Sequence, residues 1–152
     1  MKAQRVNNLS IKTLGGAKGA YLFVLQLGHS YQIKLTRKAP VTLTAGWYFY
    51  AGSAMGPGGL QARLKRHFKR DKKVHWHIDQ LTKHAIRRFA YAVEDSCECD
   101  LVRILKKSGE YESALCGFGN SDCRTCDSHL LRATNNRLSG LQQLLEENLK
   151  VG

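Results

Sequence analysis

The sequence predicts a mixed α/β domain of the α+β type, in which short β-compatible runs and amphipathic helical segments share one core. Three observations carry this prediction. Aromatic and branched apolar residues gather in runs at 20–27 and 47–52 that are too short for helices. A loop with four glycines and one proline over 52–59 then leads into Leu60, Leu64 and Phe68, whose steps of four define the buried stripe of a helix. An alternating run over 88–93 is followed by a second helical segment.

The elements follow in order. Residues 20–27, Ala-Tyr-Leu-Phe-Val-Leu-Gln-Leu, read as a largely buried strand, and Gly28-His29-Ser30 turns the chain. Tyr31 to Leu35 alternates apolar and polar residues, as a half-exposed hairpin partner should. A strand over 47–52 follows from Trp, Tyr, Phe and Tyr in succession, which suit a pleated surface. In the helix after the glycine loop, Arg63 and His67 are also four apart and share a separate face. A further helix is expected from about His75 to His84, with Trp76, Ile78 and Leu81 as core contacts. Arg88 to Val93 reads as a strand, and Glu94-Asp95-Ser96 offers a cap for a helix over about 97–107. The 110–132 region lacks a regular period and reads as an ordered loop around Gly117-Phe118-Gly119. Leucines at 138, 141, 144, 145 and 149 place a last helix over about 138–150.

At 152 residues, 43% of them hydrophobic, the chain has the material for one domain with a packed core. Its 24 Lys and Arg against 12 Asp and Glu leave a formal charge of +12. That excess suits a polyanionic partner without separating DNA from RNA or from an acidic membrane. Residues 1–13 hold no apolar stretch of roughly seven or more to serve as a signal-peptide core, and nothing approaches the roughly 20 apolar residues that span a bilayer. A soluble, cytoplasmic protein without membrane attachment is expected. Five cysteines, an odd number, are confined to Cys97 through Cys126; in a reducing compartment they read as thiols or metal ligands rather than a disulfide framework.

The segment from Arg63 to Lys73 holds seven Lys or Arg and a single acid, Asp71. Such a run is ordinarily a solvated face, but its density favours phosphate contact by Lys65, Arg66, Lys69, Arg70, Lys72 and Lys73. Cys123, Cys126 and His129 have the spacing of zinc ligands, and Cys97, Cys99 or Cys116 could complete a four-ligand site; buried thiols are the plainer reading. His75, His77 and Asp79 also look ligand-like, but residues two apart diverge on a helix, which leaves His77 a structural or phosphate-contacting role.

Gly19-Ala20-Tyr21 and Tyr50-Ala51-Gly52, followed in order by Arg63, His67 and Glu98, resemble the GIY-YIG nuclease superfamily, although the middle residue differs in both tripeptides. The phrases Tyr-Ala-Gly-Ser-Ala, Gly-Pro-Gly-Gly-Leu, Trp-His-Ile-Asp and Gly-Phe-Gly-Asn-Ser-Asp-Cys look like its small subfamily catalogued as domain of unknown function 123. The resemblance covers about residues 15–132, leaving 1–14 as an N-terminal extension. It implies a small central, mostly antiparallel sheet flanked by helices, and catalysis with one divalent metal, Mg2+ or Mn2+. By position, Glu98 is the implied metal ligand, Arg63 sits against the scissile phosphate, and Tyr21 is the implied base for the attacking water. Tyr50 and His67 would hydrogen-bond around the same phosphate, and Ser53, His77 and Asn120 join the basic residues as nucleic-acid contacts.

Phosphodiester hydrolysis needs a deprotonated water in line with the leaving oxygen and positive charge where negative charge accumulates. A tyrosine base, with an ordinary pKa of about 10, needs neighbouring cations or metal-bound water to lower it, which the basic helix is expected to supply. One carboxylate plus waters and phosphate oxygens suits magnesium or manganese. Each residue also has a plain structural role open to it. Strand tyrosines pack in cores, Arg63 can be a solvated charge, and Glu98, three residues after Asp95, has the spacing of a capping box. Glu94, Asp95 and Asp100 are further carboxylates close to Glu98 in sequence. The expectation is a metal-dependent endonuclease that cuts DNA by in-line water attack to leave 5′-phosphate and 3′-hydroxyl ends. The alternative is a non-catalytic nucleic-acid-binding module on the same fold, with a zinc-stabilised scaffold as a third reading. Specificity would come from nucleic-acid shape or from a protein partner.

Overall fold

The elements of the computed structural model, which describes residues 3–35, 37–74, 76–119, 125–135, 138 and 140–149, are strands β1 (Gln4–Val6), β2 (Gly19–Leu27), β3 (Tyr31–Ile33), β4 (Val41–Leu43), β5 (Gly46–Ala54), β6 (Ala85–Glu94), β7 (Tyr111–Ser113) and β8 (Leu130–Ala133), with helices α1 (Gly59–Phe68), α2 (Asp79–Thr82), α3 (Glu98–Lys107) and α4 (Leu141–Leu149). A 3-10 turn spans Ser10–Leu14. Six strands form one antiparallel sheet in the order β1-β6-β2-β5-β8-β7, and β3 and β4 pair separately. This is a small α+β fold with a mostly antiparallel sheet.

Strand β2 lies at the centre because both of its edges are paired, to β5 and to β6, along its whole length. All of its residues except Gln26 are buried, as a strand covered on both faces requires. Its odd-numbered residues Tyr21, Phe23, Leu25 and Leu27 pack with Leu60, Leu64 and Phe68 of α1. Its even-numbered residues Ala20, Leu22 and Val24 pack on the opposite face with Leu101, Val102 and Leu105 of α3 and Leu141, Leu145 and Leu149 of α4. Period-two alternation thus puts one sheet between α1 on one side and α3 with α4 on the other.

Several sequence expectations are corrected. The run from Tyr31 to Leu35 is not a partner of β2: only Tyr31–Ile33 is a strand, and it pairs with β4, since both edges of β2 are already occupied. The helix expected over 75–84 shrinks to the single turn α2. There the Asp79 carboxylate accepts the Trp76 N–H at 2.8 Å, residues 76–78 are held in turns, and the chain enters β6 at Ala85; His75 lies outside the described residues. The 110–132 region contains β7 and β8, strands of three and four residues, too short for a period to show. Within the segment 1–14, residues Gln4–Val6 form β1, which pairs with β6. Finally, Asp95 does not cap α3. It sits at φ 56 in the turn out of β6, donating its N–H to the Lys18 carbonyl at 3.0 Å. Cys97 occupies the N-cap position with no side-chain cap hydrogen bond.

Candidate active site and thiol cluster

The two tyrosines of the tripeptides share a sheet face because of strand register. Tyr21 lies opposite Gly52 and Phe23 opposite Tyr50, and the tyrosine ring centroids are 6.3 Å apart. The glycines make room for them. A Cβ on Gly52 would fall 2.2 Å from the Tyr21 hydroxyl oxygen, and one on Gly119 would fall 2.6 Å from the Tyr50 ring, distances that no packed side chain tolerates. Gly119 also has φ +68, the left-handed region where glycine is preferred.

His67 enters the same cluster from α1. Its Nε2 is 2.6 Å from the Tyr21 hydroxyl, and its ring lies 6.0 Å from that of Tyr50, 5.4 Å from Phe23 and 5.8 Å from Trp76. Four-residue spacing on α1 places it one turn from Arg63, whose guanidinium lies 4.5 Å over the Trp76 ring. The helix face shared by Arg63 and His67 is therefore turned toward the sheet, with His67 buried and Arg63 half-buried.

Burial dominates the protonation of this cluster. It pushes His67 from 6.5 down to about 3, with Lys72, Arg66 and Arg63 acting in the same direction and Asp79 opposing. The imidazole is neutral at pH 7, and its Nδ1 is buried with no hydrogen-bond partner among the described residues. Tyr50 is raised from 10.0 to about 12, again chiefly by burial, and Tyr21 is raised well above 10.0 by burial and by Tyr50. The expectation that the basic helix lowers the Tyr21 pKa is thus corrected. Arg63 does lower it, but desolvation of a phenolate in this apolar setting is the larger effect.

Glu98 acts on the same two hydroxyls: it raises the pKa of both Tyr21 and Tyr50, while Arg63 lowers both. Asp79 raises both as well, so two carboxylates, Glu98 and Asp79, and the Arg63 guanidinium lie within electrostatic reach of both phenols. Glu98 is the first residue of α3, half-buried, and its Oε2 is 3.8 Å from the Cys97 thiol. The capping-box geometry open to it in the sequence is not formed, which leaves the carboxylate available for a cation.

The basic residues divide into two groups. Lys65, Lys69, Arg70 and Lys73 are exposed. Arg66 and Lys72 are engaged within the protein. Both terminal Arg66 nitrogens donate to Asp79 at 2.8 Å, the Asp79 side chain is 0% exposed, and the guanidinium lies 4.1 Å over Trp76. Lys72 donates to the Arg66 and His67 carbonyls at 2.9 and 3.0 Å, closing the carboxyl end of α1, and burial lowers its pKa from 10.5 to about 8. His77 accepts the Gly119 N–H on Nδ1 at 2.9 Å, so it fixes the loop that holds Tyr50. Ser53 is half-buried on β5 opposite Ala20. Asn120 lies outside the described residues. A cleft of about 120 Å³ lined in part by Gly56, Pro57, Arg63 and Arg66 opens beside α1.

Trp76 and Asp79 are site residues that sequence reasoning placed elsewhere, Trp76 in the core and Asp79 among ligand-like residues. Trp76 is the plate on which Arg63 and Arg66 rest, and Asp79 is the anchor of Arg66. The phrase Trp-His-Ile-Asp was their signal.

A second cluster forms where α3 begins. Cys99, Cys126 and His129 each offer a ligand atom, and these atoms lie within 4.8 Å of one another, so the group could hold a metal ion. Of the three cysteines considered as completing ligands, Cys99 takes that position. Cys97 and Cys116 are exposed and stand outside the group, and Cys123 lies outside the described residues.

Among the described residues no helix is long and apolar enough to cross a membrane. No curated protein and no solved structure matches the chain. A family model described as domain of unknown function DUF123 matches residues 20–150, a span that contains both clusters, and the chain belongs to that family.

Proposed function

We propose that this protein is a divalent-metal-dependent nuclease of GIY-YIG type, hydrolysing phosphodiester bonds in DNA to leave 5′-phosphate and 3′-hydroxyl ends. The observation that supports it is the convergence of Tyr21, Tyr50 and a neutral His67 on one sheet face, with Arg63, Asp79 and Glu98 within electrostatic reach of both hydroxyls. Glu98 fits a hard divalent cation. It is an oxygen donor freed from helix capping at a half-exposed position, and magnesium commonly takes one or two carboxylates while keeping several waters. Bound there, Mg2+ or Mn2+ would acidify a water and offset charge on the leaving oxygen.

The chain's own groups supply position and charge. In the tautomer protonated at Nδ1, His67 Nε2 accepts the Tyr21 hydroxyl, which directs the phenolic hydrogen inward and leaves the oxygen lone pairs to accept from a water. Protonating His67 at pH 7 is uphill by about 5–6 kcal/mol, given a conjugate acid near 3 and about 1.4 kcal/mol per unit, and drawing that proton from the Tyr21 hydroxyl, whose pKa is raised well above 10, costs more still. His67 therefore orients the tyrosine rather than receiving a proton from it, and Tyr21 aligns the water rather than deprotonating it. Arg63, held over the Trp76 ring, offsets charge developing on the phosphate. Exposed Lys65, Lys69, Arg70 and Lys73 supply sequence-independent attraction for the backbone.

A second reading, a nucleic-acid-binding module without catalysis, is favoured by one observation: burial raises both tyrosine pKa values instead of lowering them. Single-turnover assays on single-stranded, duplex, flapped and branched DNA and on RNA separate the two. Cleavage should require Mg2+ or Mn2+ and stop with chelator. Arg63→Ala, Tyr21→Phe and Glu98→Ala should each lower the rate by roughly 10²-fold or more with much smaller changes in substrate affinity. Binding without cleavage across the panel selects the second reading, and equal cleavage by Glu98→Ala marks the activity as contamination.

A further inference from the structure

We infer that Cys99, Cys126 and His129 form a zinc site that pins the start of α3 to the segment entering β8. The three ligands come from separate pieces of chain. Cys99 is the second residue of α3, next to Glu98; Cys126 lies in the segment 125–129; and His129 immediately precedes β8. The Cys99 Sγ to His129 Nε2 distance is 3.9 Å. In a tetrahedral zinc site with bonds of about 2.3 Å to sulfur and 2.0–2.1 Å to nitrogen, the sulfur–nitrogen edge is about 3.5 Å and the sulfur–sulfur edge about 3.8 Å. The observed spacing is therefore within a few tenths of an ångström of a coordination edge, while the whole triad spans no more than 4.8 Å. The described residues supply three of the four tetrahedral positions.

The surroundings hold these ligands in place. The His129 backbone is fixed on both sides, its N–H donating to the Phe118 carbonyl and its carbonyl accepting from Ala51 N–H, each at 2.9 Å. Thr125 reaches both sulfurs, its hydroxyl donating to Cys99 at 4.0 Å and lying 3.9 Å from Cys126. A hydroxyl so placed would help to orient the sulfur ligands, as outer partners of a metal site do. Asp127, between Cys126 and His129, is tied to Lys106 of α3 and to Ser113 of β7, both at 2.7 Å, so the segment is already drawn against α3. Two soft sulfurs with one imidazole select zinc over the hard cations that suit Glu98. His129 is buried, while Cys99 and Cys126 are half-buried and leave a path for the ion.

The test uses the full chain, reduced and stripped of metal, titrated with Zn2+ against a coloured chelator and in parallel with Co2+. One equivalent of zinc should bind per chain, and cobalt should show thiolate charge-transfer absorption with the ligand-field bands of a tetrahedral ion. Cys99→Ser and Cys126→Ser should each weaken zinc binding by roughly 10²-fold or more and remove charge-transfer intensity, and Thr125→Val should weaken it about 10-fold as an outer partner. Cys116→Ser should leave both readouts unchanged. Should His129→Ala fail to fold, the half-exposed Cys99→Ser still decides. No saturable zinc binding by the wild type, or unchanged binding by a Cys99→Ser/Cys126→Ser double variant, overturns the inference. It is independent of the nuclease reading, because these readouts involve no cleavage.

Discussion

Burial of His67 makes stability depend on pH in a way that one substitution can isolate. In the folded chain its pKa is about 3 against an ordinary 6.5. Below pH 6.5 the unfolded chain therefore binds a proton that the folded chain refuses, so stability is fully present above 6.5 and falls as the pH drops toward 3. Each pH unit in that window is worth about 1.4 kcal/mol, so lowering the pH from 6.5 to 5 costs about 2 kcal/mol from this residue alone. Other groups titrate over the same range, which is why the comparison must be differential. His67→Gln keeps an amide to meet the Tyr21 hydroxyl but cannot take up a proton. Urea unfolding followed by tryptophan fluorescence at pH 7 and pH 5 should show wild type losing about 2 kcal/mol more than His67→Gln. Equal losses in the two proteins would mean that His67 is solvated or charged in the fold, and the assignment of a neutral imidazole beside Tyr21 would fail.

Gly52→Ala places a methyl group 2.2 Å from the Tyr21 hydroxyl oxygen; it should cost about 1–3 kcal/mol by overpacking and abolish any cleavage by displacing that oxygen, read by thermal melting alongside a cleavage assay. Asp79→Ala strips the buried partner from Arg66 and should destabilise by about 3–5 kcal/mol in urea unfolding, whereas a change under about 1 kcal/mol would show the pair to be solvated. Replacing Lys65, Lys69, Arg70 and Lys73 by glutamine should flatten the dependence of DNA affinity on salt, because every phosphate that is no longer neutralised takes about 0.9 off the logarithmic slope. An unchanged slope moves the binding surface to another face.

What could be read from the sequence depended on how far the signal extended. β2 and β5 are long, and their composition alone located them. α1 was fixed by Leu60, Leu64 and Phe68, all buried as the spacing required. β1, β4, β7 and β8 have three or four residues each, and so short a strand is specified by its neighbours rather than by its own pattern. At the site, the residue types were legible but not their protonation. A tyrosine near a basic helix suggests a lowered pKa, yet the sequence does not reveal that Tyr21 is 1% exposed, and desolvation outweighs Arg63. Arg66 and Lys72 illustrate the same limit. Counted as phosphate contacts from their place in a charge run, they meet Asp79 and the end of α1, partners that only the folded chain supplies.

Strand register ties these pieces into one site. Tyr21 and Tyr50 are far apart in sequence, and they share a face only because Tyr21 pairs with Gly52 and Phe23 with Tyr50. A slip of one residue between β2 and β5 would turn Tyr50 toward α3 and α4 and remove it from His67. It would also bring a residue with a side chain opposite Tyr21, where no Cβ fits. Gly52 thus acts twice, opening space for the Tyr21 ring and penalising the registers in which the two hydroxyls part. The dependence runs through to α1, since His67 reaches Tyr21 only while Leu60, Leu64 and Phe68 seat the helix on that same sheet face. A tyrosine-glycine pattern split across two strands is therefore a statement about pairing before it is one about chemistry.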